Sequence, residues 1–180
     1  MPVPPLTEGQ IGQVAGFVAD YISTQRQKAL PHALPLKPAQ SASMSGFFLP
    51  QLLESTRFLV LGGIRIENPL FYPILHQLGF TNLPDFSLMA AVTFCDVVVS
   101  HEVFTAGLLF HELVHVEQYR QLGIPRFADL YVRGFLSGCG YDGIPLEVNA
   151  YQLSDRFERN PGAIFSVERE VQAWIQQVRF

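Results

Sequence analysis

The sequence predicts an α+β domain, with strands gathered before residue 100 and helices dominating after it. Three observations carry this reading. Extended-type runs occur at 57–61, 88–94 and 96–100, every segment after Ser100 has helical periodicity, and the two types do not alternate as a parallel α/β sheet requires. Length and composition agree with one unit spanning 1–180. A chain of 180 residues fits a single domain, and 48% hydrophobic against 16% charged residues gives enough apolar surface to offset chain entropy.

The elements follow in order. Thr7 and Gln10 form a capping-box pattern, after which Ile11, Val14, Ala15, Val18, Tyr21 and Ile22 recur at helical spacing, so a first helix runs to about Lys28. Pro31, Pro35 and Pro38 make 30–45 a surface crossing. A short helix is expected at 47–54, then a strand at 57–61 closed by Gly62 and Gly63. The proline-broken stretch 68–86 holds a short helix within 69–78. Around Cys95, the runs 88–94 and 96–100 read as a hairpin or a bulged strand, with Val97, Val98 and Val99 favouring extended structure. A long helix covers 104–122 and ends at Gly123, with Pro125 two residues on. Further helices are expected at 126–136, from Pro145 to about residue 159, and over 166–178, with a glycine-rich turn at 138–143.

Composition excludes several classes. Net charge is −4 and the twelve Lys and Arg are scattered, so no basic stripe for nucleic acid exists. The longest uncharged stretch, 68–84, has 17 residues and three prolines, short of a membrane span. With no signal-peptide pattern at the start, a cytoplasmic protein is expected. Cys95 and Cys139 stand alone, outside any CxxC pair, and are expected as small buried hydrophobes rather than a disulfide. No Gly-x-Ser-x-Gly elbow occurs, and Gly9 to Gly16 lie in a helix pattern with no strand before them, so neither a serine hydrolase nor a phosphate loop is indicated.

One motif carries chemistry: His111-Glu112-Leu113-Val114-His115, in the middle of the longest helix. Residues four apart share a helix face, so both imidazoles can converge on one ion. Glu112, one step round, can take a proton from a water activated by that ion. The alternative is a buried helix with two satisfied histidines and Glu112 paired to Arg120 or to solvent. It is disfavoured because Leu108, Leu109, Phe110 and Val116 surround the motif with apolar groups, and buried charge without a partner is expensive. A catalytic zinc takes a third protein ligand. Glu147, 32 residues after His115 in the first turn of the next long helix, is favoured over His101, Asp142 and Asp129, because a His-His-Glu set leaves the ion acidic.

HELVH on a helix with a later helix-opening glutamate resembles the zincin metallopeptidases of the gluzincin type. The wording LLFHELVHVEQYRQLG with IPLEVNAY downstream is similar to small bacterial zincin-like domains. The resemblance covers about residues 90–159 and leaves the amino-terminal half unmatched. It implies a small zincin-like domain, a short antiparallel or mixed sheet packed on the active-site helix, Zn2+ bound by His111, His115 and Glu147, and Glu112 as general base. The implied activity is hydrolysis of a peptide or protein amide. Many gluzincins place an acidic residue four positions after the third ligand, whereas Tyr151 stands there in this chain. Tyr151, Tyr141 and His101 are the candidates for supporting a ligand or stabilising an oxyanion. The resemblance also makes Asp96, Val97, Val98, Val99 and Ser100 the edge strand on which an extended substrate would pair, the alternative for this segment being a plain core strand. Two alternatives stay open. One is a catalytically silent binding or assembly module with a structural metal and a protein partner on an apolar face, to which the 15 phenylalanines would contribute. The other is a hydrolase of non-peptide amides.

Overall fold

The computed structural model describes residues 5–178, with Cys139 described in its backbone only. Helix α1 (Glu8–Ala29) opens on the capping box of Thr7 and Gln10. The crossing that follows is more ordered than its prolines suggest. It contains a 3-10 turn (Leu30–His32) and helix α2 (Pro38–Met44), because Pro38 is pre-set for a first helical turn and the Gln40 side chain accepts the Lys37 N–H. Met44 at its end is fully buried, so this segment belongs to the core.

Helix α3 (Pro50–Ser55) leads into β1 (Arg57–Val60), and α4 (Tyr72–Gln77) is the short helix of the proline-broken stretch. The expected run 88–94 divides. Phe86–Leu88 forms a 3-10 turn capped by Asp85, and only Ala91–Phe94 is strand, β2. A two-residue turn at Cys95 and Asp96 joins it to β3 (Val97–Ser100). Cys95 takes φ 63°, a left-handed conformation that costs a non-glycine residue on the order of 1 kcal/mol. Cys95 is a free, half-buried thiol.

The sheet is mixed, in the order β1-β3-β2. β3 pairs in parallel with β1 and antiparallel with β2. This corrects one expectation. Asp96 is a turn residue, and Val97, Val98, Val99 and Ser100 form the central strand, paired on both sides and buried at every position. A strand with both ladders occupied cannot accept a peptide by strand addition. The strand next to the long helix with a free edge is β2.

Helix α5 (Ala106–Gly134) is the axis of the fold, packed against α1, β2, α6 (Pro145–Arg159) and α7 (Val167–Gln177). Thr105 caps its start. The predicted break is present as a kink: Gly123 leaves helical geometry at φ 72°, ψ 162°, and Pro125 restarts the helix. One π-helical turn (Phe135–Cys139) and a 3-10 turn (Tyr141–Gly143) then carry the chain to α6. Two apolar clusters flank α5. In the first, Phe110 stacks on Phe157 at 4.4 Å and meets Phe47 and Phe48 edge to face. In the second, Tyr119, Phe127 and Leu130 pack with Ile22, Phe94 and Ile144. The amino-terminal half thus supplies one wall of each cluster. Among the described residues, no helix is long and apolar enough to cross a membrane.

Arg26 of α1 holds the Asp96 carboxylate in two-pronged fashion, at 2.5 and 2.9 Å, and so ties α1 to the hairpin turn. Burial raises the Asp96 carboxyl, but the hydrogen bond and charge of Arg26 outweigh it and hold it below the usual carboxylate range. A group depressed in the folded state contributes stability above its unfolded pKa of about 3.9 and loses it as pH falls. Arg26→Met, which keeps the aliphatic stem, should therefore cost about 1 kcal/mol at pH 7. The difference from wild type should shrink as pH falls below the unfolded pKa of about 3.9, as read by urea unfolding at pH 7 and along an acid series.

Candidate metal centre

His111 and His115 lie one turn apart on the core-facing side of α5, with their rings 4.8 Å apart and at 80° to each other. Their Nε2 atoms face each other at 3.1 Å. Glu147 comes from the first turn of α6, and Gly134 lets that turn close in. A Cβ on Gly134 would sit 2.6 Å from Cδ of Pro145, which leads α6. Oε2 of Glu147 is then 3.3 Å from Nε2 of His115 and 3.5 Å from Nε2 of His111. It is buried, and among the described residues it has no hydrogen-bond partner.

This triangle fits an ion. Ligand atoms 2.0–2.1 Å from a tetrahedral centre stand about 3.3–3.4 Å apart, and the three edges here are 3.1, 3.3 and 3.5 Å. An octahedral magnesium at similar bond lengths would bring neighbouring ligands to about 2.8–3.0 Å, and it avoids imidazole. His111, His115 and Glu147 could hold a metal ion; the orphaned carboxylate oxygen is the atom that most needs one.

The orientation of His115 is fixed by a residue that the sequence reading passed over. The Gln118 side-chain nitrogen donates to the Leu146 carbonyl and to Asn149 Oδ1, both at 3.0 Å. A backbone carbonyl only accepts, so the oxygen end of the amide must face His115 Nδ1, at 2.8 Å. His115 Nδ1 therefore carries a proton, so that once an ion displaces the proton on Nε2 the ring turns its Nε2 lone pair toward His111 and Glu147. Gln118 is fully buried, and its two acceptors flank Glu147 along α6, so a single amide positions one ligand on each helix. The signal was in the spacing, since positions 111, 115 and 118 share a helix face.

Glu112 is buried beside the triangle without belonging to it, and Thr93 of β2 donates to its Oε2 at 2.7 Å. Arg120 is not its partner: that guanidinium grips Glu117 with two hydrogen bonds of 2.8 and 2.7 Å. Tyr141 lines the same region together with Glu112 and Glu147. Burial, then the charges of Glu147 and Glu112, push its phenol far up, so it stays a proton donor. Tyr151 is half exposed and lies ring to ring against His111 at 4.5 Å. An open cleft of about 360 Å³, bordered by His111, Glu112, Tyr141 and Tyr151, reaches the site from solvent.

The other candidates lie elsewhere. Both ring nitrogens of His101 are engaged with backbone, Nε2 accepting from Ile66 N–H and Nδ1 bonded to the Met89 carbonyl. Asp129 pairs with Arg133, and Asp142 is exposed. Comparison of the chain with protein-family models, curated proteins and solved structures returns no match.

In the metal-free chain a proton and the carboxylate compensate each other. Burial would lower His115, but the charge and contact of Glu147, aided by Glu112, push it up to about 9. Burial would raise Glu147, but the two imidazoles hold it well below the carboxylate range. With His115 raised and Glu147 depressed, this pair stabilises the metal-free chain most between about pH 4.5 and 6.5, and the contribution fades as pH rises through about 9. Metal binding runs the other way, because the ion must displace the His115 proton. Its affinity should rise about tenfold per pH unit up to about pH 9 and flatten above, as measured by chelator competition. Gln118→Leu should weaken metal binding by about 10–100-fold at fixed pH in the same assay.

Proposed function

We propose that this protein is a zinc-dependent hydrolase of peptide or protein amides, working as zincin peptidases do. The observation that carries the reading is a buried His-His-Glu triangle of tetrahedral dimensions with a second carboxylate, Glu112, held beside it and open to a cleft. The donor set of two imidazoles and one carboxylate suits zinc. Zinc held there supplies Lewis acidity, which polarises the scissile carbonyl and makes a water acidic near neutrality.

The residues of the chain do the rest. Glu112 takes the proton of the attacking water as the oxygen–carbon bond forms, then passes it to the leaving nitrogen as the carbon–nitrogen bond breaks. The Thr93 hydroxyl holds the Glu112 carboxylate in place through the reaction. Tyr141, kept protonated by its surroundings, donates toward the carbonyl oxygen as negative charge grows on it. Ala91 places the free edge of β2 at the cleft, where an extended backbone can pair, a role the sequence reading gave to β3.

Purified protein never exposed to chelator should contain about one zinc per chain, lost in His111→Ala and His115→Ala. Glu112→Gln should retain the zinc and lose at least about 10²-fold in the rate of peptide cleavage. Zinc without turnover in the wild type would instead support a silent binding module. Iron in place of zinc would move the site to oxygen chemistry, since two histidines and a carboxylate also serve non-haem iron.

A further inference from the structure

A small inner cavity lined in part by His115 and Glu147 adjoins the open cleft, and we propose that it receives the side chain of the substrate residue next to the scissile bond and selects small apolar ones. This rests on the hydrolase reading above. The cavity borders Glu112, His115 and Glu147, while the outer cleft borders His111 and Glu112. Met89, Ala91, Glu112 and Tyr141 line both, so the ligand triangle lies where the two spaces meet. A group bound between the ligands would border both spaces.

Lining and size set the preference. Away from the ligands the walls are Ile22, Val92, Phe94 and Phe127, with Val18 and Tyr131 at the far end. A charged side chain would meet no counter-charge among these groups. The volume is about 50 Å³, a third of the roughly 150 Å³ that holds a benzene ring in an apolar protein cavity. Alanine- and valine-sized groups fit, and a phenyl ring does not.

The limit is set by a thin partition. Val18 and Tyr131 also line a second apolar cavity of about 50 Å³ enclosed by α1, α4 and the far end of α5. The Tyr131 hydroxyl is buried with no partner among the described residues. Val18 belongs to α1, outside the motif-bearing half, so the amino-terminal segment sets the depth of the site.

Binding of hydroxamates to the zinc-loaded full chain tests this without turnover. Acetohydroxamate serves as the reference, and N-acetylated alanine, valine, leucine and phenylalanine hydroxamates as probes, by calorimetry. The alanine and valine compounds should bind at least about tenfold tighter than the phenylalanine one, the discrimination a fixed apolar pocket provides. Val18→Ala should open the partition and tighten the leucine and phenylalanine compounds by about tenfold. Equal or tighter binding of the phenylalanine compound to wild type would overturn the pocket alone, whether or not the variant folds. A folded Val18→Ala chain with an unchanged ranking would overturn the partition. Failure of acetohydroxamate itself to bind would overturn the metal-site reading and this inference with it.

Discussion

The carboxamide of Gln118 joins the two helices that make the site, and its bonds run in one direction only. Its nitrogen is committed to Leu146 and Asn149 on α6, so its oxygen must accept from His115 on α5. That choice fixes the tautomer of His115 and the rotation of the α6 turn carrying Glu147. Reversing the amide would set its nitrogen against a ring N–H and its oxygen against a carbonyl, two repulsions in a region closed to water. The close approach that makes the bond reachable depends in turn on Gly134, where any side chain would strike the ring of Pro145.

Two of the three buried glutamates, Glu117 and Glu147, are neutralised in different ways. Glu117 is compensated from within the chain, by Arg120 and Gln121, and the same group reaches Glu168 to draw α7 onto α5. Glu147 is instead approached by two imidazoles, whose charge comes and goes with a proton. In a chain with 16% charged residues, such a carboxylate at the centre of the fold stands out. A cation held between the three side chains would complete that compensation, and the dimensions of the triangle suit one.

The amino-terminal half has no catalytic motif, yet it shapes the surroundings of the site. Phe47 and Phe48 close the aromatic cluster around Phe110, immediately before His111. Helix α1 covers the opposite flank and places Val18 at the end of the inner cavity. Thr93, which holds Glu112, is positioned because β2 pairs with β3 and packs against α5.

Local information in the sequence was sufficient for whatever depends on neighbours a few positions apart. The α1 capping box, the break at Gly123, the four-residue spacing of His111 and His115 and the α+β class all rest on short-range sterics and helical periodicity. Gln118 obeys the same periodicity, but a glutamine on a helix face has no meaning until its acceptors are known, and those lie 28 and 31 residues away. Strand order likewise escaped the sequence. Three consecutive valines read equally as an edge or a centre, and only the parallel pairing of β1 with β3 made that strand central and left the edge to β2. The meeting of Glu147 with the two histidines, the capture of Glu112 by Thr93 and the depth of the inner cavity belong to the tertiary structure. Each joins residues far apart in the chain, and packing decides such distances where periodicity cannot.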